Sequence, residues 1–335
     1  MIELSLGQAI DRAIENAMSE DESIVLIGED VPMLRAPLYA RFGVERVMGA
    51  PISESAFIGA AVGAAMEGLR PIVELYMVDF LAVAFDAVLN HMAKLEAFSG
   101  GEWHCPVLIR APSGGGYGDG GQHAQSLWGM LSAIPGLTTI IPSTPMDAYG
   151  LTRTALRHSG PVILFEPKLL SEEWLEFLGR LGREDLEFDV PENASGMVNE
   201  DEFAPFGRAV TRREGGDVTI LSLAVGVHRA LAAAEALASD NIQCEVIDLR
   251  CLSPLDRESI RRSVAKTGRM VVVDEDYRNY GLSGELAATV LEAGLHPTFV
   301  RVCVEGTIPY NHRLEKDTLP SVKRIIEAVK EICQS

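Results

Sequence analysis

The sequence predicts an α/β protein with two domains, each a mainly parallel sheet flanked by helices. Short apolar runs alternate with segments of helical length in both halves of the chain. The runs are too apolar for a sheet with one solvated face, which indicates parallel strands covered on both sides. An acidic stretch, residues 170–203, interrupts the alternation. We therefore expect domains at residues 1–185 and 205–335, joined by an acidic linker at 186–204.

The amino-terminal half opens with a clearly marked helix. Ser5 and Gln8 have the spacing of a capping box, and the apolar residues that follow fall on one helical face. A cap at Ser143 or Thr144, followed by Pro145, marks a later helix that ends at His158. The other predicted helices are 56–69 and 79–98, the predicted strands are 24–28, 71–76, 106–110, 138–141 and 161–166, and 33–50 is predicted as a loop with one helical turn.

The carboxyl-terminal half repeats the pattern on a smaller scale. Its predicted strands are 217–223, 243–248, 269–274 and 298–302, and its predicted helices are 227–238, 256–266, 283–292 and 320–333. Within the acidic stretch, only residues 174–181 form a short amphipathic segment.

Composition and charge exclude several function classes. Forty-eight acidic against 29 basic residues give a net charge of −19, which argues against nucleic-acid binding and favours basic protein partners. No apolar run approaches the roughly 18 residues that span a bilayer, and the amino terminus lacks the pattern of a signal peptide. The five cysteines are scattered without zinc-site spacing, as expected for reduced thiols. We expect a soluble, cytoplasmic protein that neither binds nucleic acid nor enters a membrane.

Glu54 is the strongest candidate for a functional residue. It lies in the segment Pro-Ile-Ser-Glu-Ser, where Ser53 or Ser55 is predicted to cap the following helix and so to place Glu54 at the helix start. The positive end of the helix dipole favours the ionised carboxylate by roughly 0.3–1 kcal/mol, while burial would raise its pKa. Such a carboxylate is suited to sharing a proton with a ligand. The alternative is an ordinary solvated acid at a helix start.

The glycine-rich stretch before His123 allows two interpretations. Residues 116–121 contain the G-x-G-x-x-G spacing of dinucleotide sites, so an NAD-binding oxidoreductase is one alternative, although no acid stands at the usual distance to hold a ribose. His123, flanked by Gln122 and Gln125, is placed to exchange protons near neutral pH, or else serves as a structural loop histidine. Phe80 is either a core residue or a ring for stacking.

Several motifs together resemble one protein family. The segments PISESAFIGAAVGAAMEGLRPIVE, GGQHAQS, PSTPMDAYGL, GPVILFEPK and EVIDLRCLSPLD are similar to those in β-subunits of the thiamine-dependent decarboxylating component of 2-oxo acid dehydrogenase complexes. Pyruvate, branched-chain 2-oxo acid and acetoin dehydrogenases belong to this transketolase-like family. The resemblance covers nearly the whole chain. It implies a pyrimidine-binding domain followed by a transketolase C-terminal-like domain.

The resemblance also implies roles for particular residues. Glu54 matches the glutamate that hydrogen-bonds the pyrimidine ring of thiamine diphosphate and favours its reactive imino tautomer. Phe80 matches the aromatic residue that stacks on that ring, with Ile52 beside it. His123 matches the histidine near the substrate and the incoming lipoyl group. Two acids, Glu29 and Asp86, match residues lining a polar tunnel between two cofactors.

Cofactors and partners follow from the same resemblance. The chain is implied to share thiamine diphosphate with an α-subunit in an α₂β₂ heterotetramer, and to deliver acyl groups to a lipoyl domain while docking to the subunit-binding domain of an acyltransferase core. Gly118-Asp119-Gly120 resembles the start of the family's diphosphate signature, but no asparagine follows before Asn193. The α-subunit is therefore expected to hold the diphosphate and Mg²⁺.

A structural potassium site is the remaining implication. It maps to the backbone of Val107, Ala155, Leu156, His158 and Gly160, with His158 at a position where aspartate is common. A noncatalytic α/β interaction subunit that keeps the fold without the chemistry is a further alternative. The presence of Glu54, Phe80 and His123 together argues against it.

Overall fold

The computed structural model describes residues 1–171, 189–191 and 194–334, and its strands form three sheets. The strands are β1 (Ile2–Leu4), β2 (Ile24–Glu29), β3 (Val47–Ala50), β4 (Arg70–Glu74), β5 (Leu108–Ser113), β6 (Thr138–Ile140), β7 (Val162–Pro167), β8 (Gly196–Val198), β9 (Val210–Arg213), β10 (Val218–Ser222), β11 (Cys244–Asp248), β12 (Cys251–Ser253), β13 (Arg269–Tyr277) and β14 (Thr298–Val304).

Helices cover the two larger sheets. They are α1 (Leu6–Glu20), α2 (Val31–Leu34), α3 (Ala36–Phe42), α4 (Glu54–Met66), α5 (Leu95–Phe98), α6 (Trp128–Ser132), α7 (Pro145–Ala155), α8 (Val225–Ala238), α9 (Arg257–Thr267), α10 (Leu282–Leu291), α11 (His312–Thr318) and α12 (Val322–Gln334). None of these described helices combines the length and the apolar character needed to cross a bilayer.

The first sheet has seven strands in the order β12-β6-β7-β5-β4-β2-β3. Its six amino-terminal strands pair in parallel, and only β12 runs antiparallel, against β6. Strands β5 and β7 are buried along their whole length, because α1 and α7 pack on one face while α4 covers the other. The predicted two-sided parallel sheet is confirmed.

The second sheet has five strands in the order β14-β13-β10-β11-β9, and only β9 is antiparallel. One face packs against α8 and α12 through residues such as Ala234, Val246 and Val329. The other face packs against α9 and α10, and the apolar cluster there continues into the first half through Ile109 of β5. The two halves therefore share one core. The proposed domain limits at residues 185 and 205 remain a prediction.

Most predicted elements lie within a few residues of the observed ones, and the predicted helix starts are correct in detail. This holds for two of the helix starts, α1 and α7, and not for the predicted side-chain cap of α4. Ser5 and Gln8 form both hydrogen bonds of the capping box. Thr144 accepts a hydrogen bond from the Asp147 amide, with Pro145 as the first helical residue. Both caps depend only on neighbouring residues, which is why the sequence alone predicts them.

Two predicted segments are corrected by the structure. Residues 33–50 contain α3 and β3 rather than a loop, because Pro37 stands in the first turn of α3, where the missing N–H costs no hydrogen bond. The single predicted helix 79–98 is divided into a 3-10 helix at Val78–Ala84, a π-helix at Ala87–Met92 and the short α5. The predicted amphipathic segment at 174–181 lies outside the described residues.

Candidate active site

The candidate residues gather at one edge of the first sheet. Glu29 is the last residue of β2, Glu54 follows β3, Phe80 follows β4, and His123 lies in the loop after β5. These strands are parallel, so their carboxyl ends point to the same edge. Open α/β sheets bind their ligands at this edge.

Glu54 is the first residue of α4 and is 9% exposed. The predicted side-chain cap is wrong. The Ser53 side chain makes no capping bond, and its carbonyl accepts instead from the Ala56 and Phe57 amides at 3.0 and 3.1 Å. The Ser55 hydroxyl donates to the Val83 carbonyl at 2.6 Å, which ties the first turn of α4 to the 3-10 helix that carries Phe80.

Glu29 lies close enough to Glu54 for their charges to interact. Partial burial raises the pKa of Glu29, and the neighbouring carboxylates of Asp30 and Glu54 raise this pKa further. A raised pKa favours the protonated form of a carboxyl group. This edge of the sheet therefore places a second carboxyl group, with a raised pKa, near Glu54.

Phe80 and His123 are in direct ring contact. Their centroids are 5.6 Å apart and their planes meet at 87°, an edge-to-face arrangement. Both side chains are half-buried. The His123 Nδ1 atom is buried and has no hydrogen-bond partner within the described chain, while the His123 carbonyl accepts a hydrogen bond from the Lys168 ammonium. The imidazole thus has one buried ring nitrogen without a hydrogen-bond partner among the described residues.

A hydrogen-bonded chain behind this ring pair was not predicted from the sequence. The Gln125 amide donates to Asp79 Oδ1 at 2.7 Å, and the Tyr277 hydroxyl donates to Gln125 Oε1 at 2.8 Å. Asp79 is buried, which raises its pKa, and among the described residues its Oδ2 has no partner. Asp79 and Gln125 stand next to the candidates in sequence, but Tyr277 comes from β13 of the second sheet and carries no local signal.

The glycine-rich loop, residues 114–121, binds a carboxylate of the protein itself. Glu315 accepts hydrogen bonds from the Gly116 amide at 2.9 Å and the Gly118 amide at 2.5 Å. In a dinucleotide site the amides of such a loop face the pyrophosphate. Because two of these amides are already bonded to a buried glutamate, the geometry counts against the NAD-binding alternative.

Two predicted cofactor residues have exposed side chains. Ile52 is 75% exposed. The Asp86 side chain is 76% exposed, accepts a hydrogen bond from Asn90 at 2.6 Å and lies 3.3 Å from His91 Nε2. The hydrogen bond from Asn90 lowers the pKa of Asp86, and the contact with His91 lowers this pKa further. The predicted position of Ile52 beside the pyrimidine ring and that of Asp86 in the tunnel between two cofactors stay predictions.

The backbone predicted to bind potassium does not fit a cation. The Arg70 guanidinium donates to the Leu156 carbonyl at 3.0 Å and to the His158 carbonyl at 2.6 Å. Two of the five expected ligands therefore already face a positive charge, which repels a second cation. His158 adds no compensating negative charge. Partial burial lowers its pKa; the charge of Glu96 opposes this effect, and the charge of Arg70 adds to it.

No three His, Cys, Asp or Glu side chains are grouped to hold a metal ion among residues 1–171, 189–191 and 194–334. The groups at the sheet edge instead suit a flat, nitrogen-containing ring. Glu54 offers a carboxylate to a ring nitrogen, Phe80 offers an aromatic surface, and His123 offers an unsatisfied Nδ1. These donor and acceptor types fit the aminopyrimidine end of thiamine diphosphate.

Comparison with known proteins identifies the two halves. Residues 3–172 match the transketolase pyrimidine binding domain, and residues 207–325 match the transketolase C-terminal domain. A solved structure titled "Split gene transketolase, inactive beta4 tetramer" superposes with a TM-score of 0.78 at 22% identity, covering 99% of this chain and 98% of that one. The fold is therefore transketolase-like, as the sequence motifs predicted.

Alignments with curated relatives span nearly the full length of this chain and of each relative. The acetoin:2,6-dichlorophenolindophenol oxidoreductase subunit beta of Cupriavidus necator is 38% identical over 98% of this chain and 97% of its own length. The pyruvate dehydrogenase E1 component subunit beta of Rickettsia felis is 36% identical, and the 2-oxoisovalerate dehydrogenase subunit beta of Bacillus subtilis is 35% identical, each over 99% of both chains.

The fold and the site define the chain as a transketolase-like protein with its pyrimidine-binding and C-terminal domains in that order. More particularly, it belongs to the family formed by the β-subunits of pyruvate, 2-oxoisovalerate and acetoin dehydrogenases. The family predicted from the motifs is confirmed.

Proposed function

We propose that this chain is the β-subunit of an α₂β₂ enzyme that decarboxylates a 2-oxo acid or cleaves acetoin, and transfers the acyl group to a lipoyl domain. The observation that carries the proposal is the position of Glu54. This carboxylate is nearly buried at the start of α4, at the same sheet edge as the Phe80–His123 pair. The sequence similarity to dehydrogenase β-subunits, which extends over nearly their full length, supports the same proposal.

Thiamine diphosphate, when bound, supplies the carbon nucleophile that attacks the substrate carbonyl. In this chain Glu54 would accept a hydrogen bond from a pyrimidine nitrogen, and Phe80 would hold the ring by stacking. Ile52 would lie beside that ring, and Glu29 and Asp86 would line the polar tunnel between two cofactors. The α-subunit would hold the diphosphate and Mg²⁺. The geometry at Arg70 leads us to propose no bound potassium.

His123 would act in the acyl-transfer step. Overall, a 2-oxo acid, a lipoyl disulfide and one proton yield CO₂ and an S-acyl dihydrolipoyl group. The S–S bond breaks, one sulfur takes the acyl group, and the other takes a proton and becomes a thiol. A histidine titrates near neutral pH and is suited to deliver that proton. The free Nδ1 of His123 and the half-buried position of its ring agree with this role.

Partner docking is proposed to be electrostatic. The net charge of −19 suits the basic subunit-binding domain of an acyltransferase core. The carboxyl-terminal domain is the proposed docking surface. Substrate choice among pyruvate, branched-chain 2-oxo acids and acetoin depends on a pocket shared with the α-subunit, so it is measured on the assembled enzyme.

Replacing Glu54 tests the proposal. The chain and its α-subunit are reconstituted, and activity with each candidate substrate is measured for wild type and for Glu54→Gln. We expect activity to fall by about 10²–10⁴-fold, the range for loss of a positioned proton-transfer group. Glu67→Gln is the matched control, because Glu67 is exposed at the other end of α4. Full activity of Glu54→Gln would reject the assignment.

A further inference from the structure

The glycine-rich loop before His123 is held by a residue of the second half. Gly116 and Gly118 have φ values of +119° and +72°, a backbone conformation that turns alternate amides toward one point. That point is occupied by the two carboxylate oxygens of Glu315, at 2.9 and 2.5 Å. Backbone amides arranged in this way form an anion-binding concavity. Here the bound anion is a side chain of the same protein.

Glu315 is committed to this contact. It lies in α11, is 0% exposed, and has its two oxygens on two different loop amides. Burial raises the pKa of its carboxyl group, and this effect outweighs the bonds from Gly116 and Gly118 and the charges of Lys168 and His312, which lower the pKa. A buried carboxylate with both oxygens bonded fixes the position of the groups that donate to it.

The other end of the same loop is anchored by Lys168. Its ammonium group donates to the His123 carbonyl and stands over the Tyr117 ring, 5.5 Å from the centroid. The Tyr117 hydroxyl returns a hydrogen bond to the Lys168 carbonyl at 3.1 Å. The loop is therefore fixed at Gly116 and Gly118 by the second half and at His123 by the first. A shift of the glycines would be transmitted to His123 over a few residues.

We propose that Glu315 is a positioning residue for His123, through which the carboxyl-terminal half sets the site of acyl transfer. The role assigned to His123 rests on the proposed function, whereas the hold of Glu315 on the loop does not. Glu315 touches no reacting atom. Its loss lets the loop move and displaces the imidazole from the lipoyl sulfur that it protonates. Because decarboxylation depends on Glu54 and not on His123, the two steps respond differently.

Hydrogen exchange on the full chain alone tests the loop contact. Amides in peptides covering residues 114–123 are expected to exchange about 10-fold faster or more in Glu315→Gln, because an amide NH₂ faces one of the two loop N–H groups. Glu327→Gln, an exposed glutamate of α12, is the control and leaves these amides unchanged. Equal exchange in wild type and Glu315→Gln would overturn the proposal.

Activity of the reconstituted enzyme tests the consequence. Oxidation of substrate with an artificial electron acceptor bypasses the lipoyl step and is expected to stay within about 2-fold in Glu315→Gln, while lipoyl acylation falls about 10-fold or more. Glu315→Asp keeps the charge and is expected to recover part of the acylation rate, which also covers a folding failure of Glu315→Gln. Equal loss in both assays would mean a merely structural role. Inactive wild-type enzyme would contradict the proposed function, while the exchange result would still decide the role of Glu315.

Discussion

The indole N–H of Trp128 donates to Asp274 Oδ1 at 2.8 Å, which joins α6 of the first half to β13 of the second. Both residues are almost fully buried. Asp276, two residues further along β13, accepts a hydrogen bond from the Gly129 amide at 2.9 Å. The junction between the halves thus contains two buried carboxyl groups, and in the described chain Asp274 Oδ2 has no hydrogen-bond partner.

This junction predicts pH-dependent stability. Burial, followed by the charge of Asp276, raises the pKa of Asp274 to about 7. The folded state then holds a proton that the unfolded state releases near pH 4, so the contribution of Asp274 is complete below pH 4 and is lost as pH rises through about 7. Asp274→Asn removes this loss. We expect its Tm at pH 8 to exceed that of wild type by about 2–6 °C, with little difference at pH 4.

Thermal unfolding of the isolated chain across this pH range is the measurement. Asp317→Asn, at an exposed position in α11, is the control and keeps the wild-type profile. A wild-type pH profile for Asp274→Asn would contradict an ionising Asp274.

The buried Arg110 is predicted to be essential for stability. It is 0% exposed, donates to Glu166 at 2.7 Å and to Asp11 at 2.5 Å, and lies 3.8 Å from Glu74. Arg110→Met leaves Glu166 buried without its counter-charge. The free energy of unfolding, measured in urea, is expected to fall by about 3–5 kcal/mol.

The surface arginine Arg12 provides the comparison for Arg110. It pairs with Glu15 and Glu200 on the surface, so Arg12→Met should cost about 1 kcal/mol or less. Equal losses for the Arg110 and Arg12 variants would show that burial does not set the value of the ion pair.

Arg70 predicts that stability does not depend on potassium. Its guanidinium already donates hydrogen bonds to the Leu156 and His158 carbonyls. Exchanging K⁺ for Na⁺ at constant ionic strength should therefore leave the Tm unchanged within about 1 °C. Arg70→Met frees both carbonyls and should lower the Tm in either salt. A wild-type Tm that rises with K⁺ concentration would show that a cation binds here despite Arg70.

The net charge of −19 predicts salt-sensitive docking. Binding of a basic subunit-binding domain to the assembled enzyme should weaken by about 10-fold or more between 50 and 500 mM NaCl, because the Debye length shortens over this range. Isothermal titration at several salt concentrations measures the effect, with a neutral osmolyte as control. Binding that is independent of salt would refute the electrostatic account.

The sequence alone predicted the features that are set by residues close together in the chain. The caps at Ser5 and Thr144 and the long buried strands depend on local chemistry and on hydrophobic periodicity, and they were predicted closely. The three- and four-residue edge strands β9 and β12 were missed, since so few residues establish no period. The predicted helix 79–98 failed because its interrupted geometry leaves no mark in the pattern of apolar residues.

The site was predicted only in part for the same reason. Glu54, Phe80 and His123 stand in recognisable motifs, and the structure brings Phe80 and His123 into contact. Tyr277 and Glu315 reach the same region from the other half of the chain. Glu315 and Gly118 are 197 positions apart, and only the packing of the two halves makes them neighbours.

Strand β12 joins the two halves of the chain, and this connection determines the effect of proteolytic cleavage between them. Residues Cys251–Ser253 complete the outer margin of a sheet built otherwise from the first 167 residues. Proteolytic cleavage in the acidic linker, residues 186–204, would therefore leave two fragments that remain associated through β12. If the two fragments were produced separately, the amino-terminal one would expose unpaired backbone donors and acceptors along β6. Such an edge strand is a template for aggregation until the carboxyl-terminal fragment binds.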